Sequence, residues 1–195
     1  KVKSIINNDL KKIISIRKNI CGIKFDKPKI MGILNVTPDS FSDGGLFFKE
    51  SKALNQASLL IKNGASIIDI GGESTRPGSK TINEKNEWNR IKQIIKKIKK
   101  KFPKTVLSLD TRKSNIMEKG INLGVSIIND ISGLNYDKKS FNIIKSKKVP
   151  FILHHIQGTP NTMQINPKYD DVLLDIYDFF EEKINFCVKN NFKKE

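Results

Sequence analysis

Short apolar segments rich in β-branched residues recur along the chain, separated by longer mixed segments. They lie at 30–36, 66–70, 105–109, 125–131 and 150–153. Their nearly continuous apolar character, as in Ile67, Ile68 and Ile70, is typical of strands that are covered on both faces of a parallel sheet. The pattern therefore predicts five buried, parallel strands.

The segments between and after these strands carry apolar residues at helical spacing, which predicts helices with one apolar stripe each. The stripes are Ala53, Leu54, Ala57, Leu60 and Ile61; Ile91, Ile94, Ile95 and Ile98; and Val172, Leu173, Ile176, Tyr177 and Phe180. Gly64 and Gly124 each precede a strand and suit the left-handed position that ends a helix. Alternating strands and helices predict βαβ units with right-handed crossovers.

Polar and glycine-rich residues follow every predicted strand, at 35–45, 71–79, 110–112, 129–130 and 154–159. No GxGxxG motif follows the first strand, so the fingerprint of a dinucleotide-binding open sheet is missing. One functional rim at the carboxyl ends of the strands is the arrangement of a (β/α)8 TIM barrel. We therefore predict an α/β fold of this kind, with about five of the βα units of such a barrel.

The composition fits one compact domain of 195 residues, 37% of them hydrophobic. The formal net charge is +16, but the lysines are spread through most predicted helices and both ends. This spread favours solvated helix faces and anionic substrates, so we expect no nucleic acid partner. A basic nucleic-acid-binding module without catalysis stays open as a different class of function, which salt-dependent binding would reveal.

No apolar stretch approaches the ~20 residues that span a bilayer, and the polar opening lacks the apolar core of a secretory signal. We therefore expect no membrane partner and a cytoplasmic location. Cys21 and Cys187 lie far apart and form no metal-binding spacing, which predicts two buried free thiols.

Two of the loops on the rim suggest binding of an anion and a metal. Asn35 ends the first strand, and its amide oxygen is a hard ligand that suits Mg²⁺, although capping of the following turn is an alternative. The long loop at 37–45 has the length of a lid. The loop at 71–78 combines glycines, hydroxyls and Arg76, which together suit a diphosphate; a pair between Glu73 and Arg76 that fixes the loop is compatible with this role.

The third and fourth strands end in side chains that suit a heterocycle. A carboxylate at Asp110 and an amide at Asn129 can together read the edge of a pterin or purine, whereas Asp130 can also cap a turn. His154 and His155 are adjacent, so at most one faces the barrel interior, and a hydrogen-bonding structural role is favoured for it.

Several of these segments resemble the signatures of the dihydropteroate synthase family. KIMGILNVTPDSFSDGG at 29–45 is similar to the first signature and GASIIDIGGESTRPGS at 64–79 to the second. LSLDTRK, INDISG and HHIQGTPNTMQ continue in the family's order at 107–113, 128–133 and 154–164. The resemblance implies a TIM-barrel transferase of folate biosynthesis, with a partial barrel at 28–195 and an extension of uncertain role at 1–27.

The family joins 4-aminobenzoate to 6-hydroxymethyl-7,8-dihydropterin diphosphate, and releases 7,8-dihydropteroate and diphosphate. By matched position, the resemblance implies that Asn35 binds Mg²⁺ and diphosphate, and that Thr75 and Arg76 bind the diphosphate. Asn35 and Arg76 are the implied catalytic residues. Asp110 and Asn129 are the implied pterin ligands.

The resemblance also implies that Ile156 lies against the pterin, where the family often has Met. Asp39, Ser40 and Phe41 in the first loop, with Arg76 and Pro77 in the second, would close over the site and shape the aminobenzoate pocket. The full-length enzyme would be able to form a homodimer.

The sequence departs from the family in lacking counterparts of its last three βα units, which carry a further Asp, a Lys, an Arg and a His. We therefore predict that this chain alone is inactive and exposes an unpaired edge at the fifth strand. A pterin-binding methyltransferase domain and an inactive paralogue that only binds pterin are the alternative functions.

Overall fold

The structure, a computed structural model of the chain, describes residues 10–11, 15, 18–37 and 46–192, apart from the side chains of 46–49. Within these residues five strands alternate with five helices. The strands are β1 (Ile30–Asn35), β2 (Ala65–Gly71), β3 (Val106–Asp110), β4 (Ile127–Asp130) and β5 (Phe151–Leu153). The helices are α1 (Leu46–Lys62), α2 (Glu84–Lys101), α3 (Ser114–Asn122), α4 (Ser140–Lys147) and α5 (Val172–Lys189). The five predicted strands are confirmed, with ends that differ by one or two residues.

The strands form one parallel sheet in the order β1-β2-β3-β4-β5. A sheet whose spatial order follows the chain in one direction has no point of strand reversal, so it is not a doubly wound sheet. It has the winding of a barrel wall that remains open between its first and last strands. Among the described residues β1 and β5 are the two edges, which confirms the predicted unpaired edge at the fifth strand.

The two faces of the sheet are buried by different means. On the outer face, strand residues such as Ile68, Leu107 and Ile128 pack fully buried against the helices. On the inner face, which we call the lumen, Ile67, Val106 and Ile127 form a smaller cluster near the amino ends of the strands. The exposed fraction of Ile33 on β1 is 65% because no described strand covers that side of the lumen.

The segment before β1 closes the amino-terminal end of the lumen. Ile20 and Ile23 form a two-residue bridge, with backbone N···O distances of 3.1 and 2.9 Å, and both side chains pack against the inner cluster. The sequence assigned no role to residues 1–27, and this part of them forms a plug below the site.

The predicted helical stripes are buried on α1 and α2, where Ala53, Ala57, Ile91 and Ile95 are fully inaccessible. The stripe on α5 is different, since Leu173 is 75% exposed. Val172 and Tyr177 are also exposed, whereas Ile176 and Phe180 are half-buried, so this stripe is covered only in part.

Local backbone and cysteine predictions had mixed outcomes. Gly64 and Gly124 have φ angles of +96° and +95°, which confirms that glycine ends these two helical segments. Cys187 is a buried free thiol as predicted, whereas the prediction for Cys21 is wrong. Cys21 is exposed because it lies in the surface turn between Ile20 and Ile23. None of the described helices combines the length and the apolar character that a membrane span requires.

Candidate active site

Four residues at the carboxyl ends of the strands lie side by side on one level of the sheet. Asn35 pairs with Gly71, Gly71 with Asp110, and Asp110 with Asn129. Because residues in register on neighbouring parallel strands point to the same face, the sheet itself brings three predicted ligand-binding side chains together. This arrangement follows from the register, which places the ends of β1 to β4 at one height.

The glycines between these side chains are required by close packing. A Cβ atom added to Gly71 would lie 3.3 Å from Asn35 Oδ1 and 3.4 Å from Asp110 Oδ2, so both oxygens converge on the space above this glycine. A Cβ atom added to Gly72 would lie 2.9 Å from a methyl carbon of Ile91 and 3.0 Å from the Glu87 carbonyl oxygen. Gly71 therefore leaves room for two hard oxygen ligands, and Gly72 allows α2 to approach β2.

Asp110 occupies the most strongly perturbed electrostatic position in the lumen. Burial, reinforced by the negative charges of Asp69 and Glu87, raises the pKa of its carboxyl group to about 8. Without a ligand, this group is therefore mostly protonated at neutral pH. A ligand that donates two hydrogen bonds or supplies positive charge would favour the ionised form.

Asn129 is held from both sides by polar groups in the lumen. Its Nδ2 atom donates to Asp69 Oδ2 at 3.0 Å, and its Oδ1 atom lies 2.7 Å from His154 Nε2. Burial raises the pKa of the Asp69 carboxyl group, although the nearby Ser108 hydroxyl and the hydrogen bond from Asn129 oppose the rise. His155 instead packs against the ring of Phe179 at 4.9 Å, so only one of the two histidines faces the lumen, as the sequence predicted.

The sequence did not single out Asp69 and Ser108, which lie on the lumen face one level below Gly71 and Asp110. They pair with each other in register, and Asp69 Oδ1 and Ser108 Oγ are buried without a hydrogen-bond partner among the described residues. The signal that would have found them is the period of two along a strand, since each precedes a rim residue by two positions.

Asp130 has a structural role that the sequence had left open. Its Oδ1 atom accepts from the backbone N–H of Ser132 at 2.8 Å, and its Oδ2 atom accepts from the N–H of Leu134 at 3.1 Å. It therefore caps the turn after β4, while its neighbour Asn129 faces the lumen.

A buried network of charges anchors the loop that follows β2. Glu73 Oε2 lies 3.1 Å from Arg112 Nε, Glu73 Oε1 lies 3.1 Å from Lys113 Nζ, and Lys113 Nζ contacts Glu87 Oε2 at 2.5 Å. The suggested pair between Glu73 and Arg76 is therefore wrong, because Glu73 forms its ion pairs with Arg112 and Lys113, which follow β3. Arg76 is exposed and makes no ion pair with a described residue.

The same loop is tethered across the rim. The backbone N–H of Gly78 donates to the carbonyl oxygen of Pro160 at 3.0 Å, which joins the loop after β2 to the loop after β5. Thr75 is half-buried between these anchors, whereas Arg76 and Pro77 form an exposed tip. Ile156 is half-buried in the segment after β5 that leads to this tether. Both ends of this loop are thus fixed while its middle remains accessible.

Three residues predicted for the first loop, Asp39, Ser40 and Phe41, lie outside the residues that the structure describes. Their assignment to a closing loop and to the aminobenzoate pocket stays a prediction.

The fold and the rim are those of a barrel enzyme, and comparison with known proteins identifies its class. The family model described as "Pterin binding enzyme" matches residues 31–195, so the chain belongs to that family. Dihydropteroate synthase of Haemophilus influenzae is 41% identical over 168 residues, which cover 86% of this chain and 60% of that protein. The Escherichia coli K12 synthase is also 41% identical, with 86% and 59% covered. The chain thus spans about three fifths of the length of these relatives.

Solved structures show the same similarity. The chain matches Xanthomonas albilineans dihydropteroate synthase with 4-aminobenzoic acid at a TM-score of 0.81 and 33% identity, over 92% of this chain and 63% of that chain. It matches the Yersinia pestis synthase in a sulfonamide drug complex at a TM-score of 0.80 and 37% identity, with 92% and 64% covered. The predicted fold class, a partial TIM barrel, is confirmed.

Proposed function

We propose that the protein is a dihydropteroate synthase, which condenses 6-hydroxymethyl-7,8-dihydropterin diphosphate with 4-aminobenzoate to 7,8-dihydropteroate and diphosphate. The observation that carries the proposal is the alignment of Asn35, Gly71, Asp110 and Asn129, which pair side by side at the carboxyl ends of neighbouring strands. It places a carboxyl group and an amide in the lumen directly beside a loop suited to diphosphate. Relatives that bear this name share about two fifths of the matched residues.

The pterin ring would bind in the lumen. The Asp110 carboxylate accepts two hydrogen bonds from the amidine-like edge of the ring, and Asn129 donates and accepts beside it. These hydrogen bonds compensate for burial of the carboxylate, which is otherwise mostly protonated at neutral pH. Ile156 would contact the ring from the segment after β5.

The diphosphate would bind at the rim between the first two strands. Thr75 supplies a hydroxyl, and the exposed guanidinium of Arg76 matches phosphate oxygens in a bidentate geometry. Glu73 and the tether at Gly78 hold the loop backbone on either side of these two residues, which supports this assignment. Loss of the diphosphate leaves a cationic methylene group on the pterin, which the amine of the second substrate attacks.

Mg²⁺ is the cofactor that this site would hold, through Asn35. The described residues contain no cluster of three His, Cys, Asp or Glu side chains, but Mg²⁺ commonly uses one or two protein oxygens together with waters and substrate phosphates. The amide oxygen of Asn35, which faces the space above Gly71, fits such a donor set. When bound, the ion would act as a Lewis acid and as a template for the leaving diphosphate.

The aminobenzoate pocket would lie above the pterin, between the two loops. Pro77 and Arg76 contribute from the described loop, and Asp39, Ser40 and Phe41 would contribute from the first loop. Closure of these loops excludes water that would otherwise capture the cationic methylene group. The homodimer and the cytoplasmic location stay predictions.

The diphosphate loop also bears on the alternatives. A pterin-binding methyltransferase has no use for a diphosphate site, and here the loop is held by both a buried ion network and a tether across the rim. An inactive paralogue would keep this geometry without turnover.

Calorimetric titration of the chain with a 6-hydroxymethylpterin diphosphate analogue tests the site directly. We expect binding that strengthens when Mg²⁺ is added, because the ion neutralises the diphosphate. Arg76→Ala is expected to lower the affinity for the diphosphate analogue by roughly 10-fold or more, because hydrogen bonds to charged groups are worth about 1.5–3 kcal/mol. It should leave 6-hydroxymethylpterin binding unchanged. Equal affinity with and without the diphosphate group would contradict the proposal and favour the methyltransferase alternative.

The 195-residue chain alone is expected not to catalyse the condensation, because its barrel wall is open between β1 and β5. A chimera that adds the unmatched carboxy-terminal part of the Haemophilus influenzae synthase should be active in an assay for dihydropteroate. Turnover by the chain alone would refute the first expectation. A folded chimera that binds both substrates without turnover would identify an inactive paralogue.

A further inference from the structure

The amide of Asn129 uses half of its hydrogen-bonding capacity inside the protein. A primary amide has two N–H donors and two lone pairs on oxygen. One donor is directed to Asp69 Oδ2 at 3.0 Å, and one lone pair faces His154 Nε2 at 2.7 Å. One donor and one acceptor therefore remain for a ligand.

The two protein partners determine which end of the amide faces which side. The Asn129 oxygen only accepts, so His154 must donate from Nε2, and the ring must carry its proton there. The opposite orientation of the amide would require a lone pair on His154 Nε2 and a protonated Asp69. The two orientations thus differ in the tautomer of His154, which is a measurable property.

Asp69 is costly for stability, which makes a purely structural role a poor explanation. Asp69 is only 5% exposed and lies between Ile68 and Ile70 on β2. One of its carboxyl oxygens, Oδ1, has no hydrogen-bond partner among the described residues. An apolar side chain at this position would avoid the penalty for burying that oxygen. The carboxyl group lies beside the Ser108 hydroxyl and accepts a hydrogen bond at 3.0 Å from Asn129 Nδ2.

We propose that Asp69 and His154 are positioning residues that lock the Asn129 amide in one orientation and thereby set the order of donor and acceptor that the ring of the substrate must match. The inference rests on the proposed role of Asn129 in binding the pterin. A heterocycle with the matching order pairs with both free groups, whereas one with the reversed order leaves both unpaired. The fixed orientation of the amide therefore makes Asn129 selective for rings that carry their donor and acceptor in the matching order.

The test compares variants that remove each partner with variants that keep its hydrogen-bonding function. Asp69→Leu and His154→Phe remove the partner, whereas Asp69→Asn keeps an acceptor and His154→Gln keeps a donor. The probes are 6-hydroxymethylpterin, and inorganic diphosphate with Mg²⁺, titrated by calorimetry. We expect Asp69→Leu and His154→Phe to lower the affinity for the pterin by roughly 10- to 100-fold. The affinity of Asp69→Asn and His154→Gln should stay within about 3-fold of the wild-type value. Diphosphate affinity should not change in any of the four.

Two results would overturn the lock. One is wild-type pterin affinity in Asp69→Leu; the other is an equal loss of pterin and diphosphate affinity, which indicates a general structural defect. The ¹⁵N shifts of the His154 ring in the wild-type chain give an independent test, with a proton on Nε2 and none on Nδ1 supporting the lock. The reverse tautomer contradicts it. If the wild type binds no pterin, the proposed function fails, and the ring shifts still decide whether the amide is locked.

Discussion

Asp110→Asn is expected to abolish measurable pterin binding and, at the same time, to stabilise the fold above mildly acidic pH. The amide presents an N–H group to a ligand edge that itself donates, so two hydrogen bonds to a charged acceptor are lost. Hydrogen bonds to charged groups are worth about 1.5–3 kcal/mol each, and a loss of roughly 100-fold or more in affinity follows. Calorimetric titration with 6-hydroxymethylpterin measures this loss.

The gain in stability follows from the pKa of Asp110, which burial and neighbouring carboxylates raise to about 8 from an ordinary value of 3.8. Between these two values the folded state binds more protons than the unfolded state, so stability falls as pH rises. Below pH ~4 the carboxyl group is neutral in both states, and this penalty vanishes. Asp110→Asn should therefore match the wild type near pH 4 and exceed its unfolding free energy by on the order of 2–4 kcal/mol near pH 8.

Asp137→Asn is the matched control for this pH dependence. Although partial burial acts to raise the pKa of Asp137, hydrogen bonds, chiefly from Ser114, hold it below its ordinary value. Its contribution to stability is therefore present above the unfolded pKa and is lost only as pH falls through the folded value. Urea unfolding from pH 5 to 8 should show the wild-type slope in Asp137→Asn and a flatter slope in Asp110→Asn. Parallel slopes in all three proteins would show that Asp110 is ionised in the ligand-free lumen.

Lys113→Met is expected to destabilise the fold by about 3–5 kcal/mol, the typical cost of removing one partner from a buried ion pair. Lys113 contacts Glu73 at 3.1 Å and Glu87 at 2.5 Å, and all three side chains are at most 5% exposed. Burial alone would raise the pKa of Glu73, but the Ile82 N–H, Arg112 and Lys113 together hold it below its ordinary value. Without Lys113, the Thr111 hydroxyl is the one side-chain donor that the described part of the chain still offers to the buried Glu87 carboxylate.

The control for Lys113→Met is Lys147→Met, which breaks an ion pair to Glu118 at 3.8 Å whose side chains are 33% and 44% exposed. Surface pairs of this kind contribute about 0–1 kcal/mol, so little change is expected. The double variant Lys113→Met with Glu87→Gln should recover part of the loss, because it no longer buries an unpaired charge. Thermal unfolding measures all three, and equal effects of the two lysine changes would contradict a buried network.

The sequence was informative wherever a residue's role depends on its position within one strand or loop. Asn35, Asp110 and Asn129 each end an apolar segment, and the ends of parallel strands meet at one edge of a sheet. Their proximity was therefore predictable before the register was known. The turn-capping role of Asp130 and the single inward histidine were among the predicted alternatives for the same reason.

Partners that lie far apart along the chain could not be predicted. Glu73 lies closer in sequence to Arg76, yet it pairs with Arg112 and Lys113 from the segment that follows β3. A loop carboxylate pairs with whichever cation the fold brings nearest, and that depends on strand order and register. The contact between Asp69 and Asn129, 60 residues apart, is of the same kind.

The sequence by itself determined the βαβ order, the rim on which the chemistry lies and the residue types on that rim, because periodicity and strand ends are local properties of the chain. Only the tertiary structure decided the raised pKa of Asp110, the contacts of Asn129 and the partial exposure of the apolar stripe on α5. These properties depend on what surrounds each group in space, since burial and neighbouring charges set a pKa and a helix stripe is buried only when another element covers it.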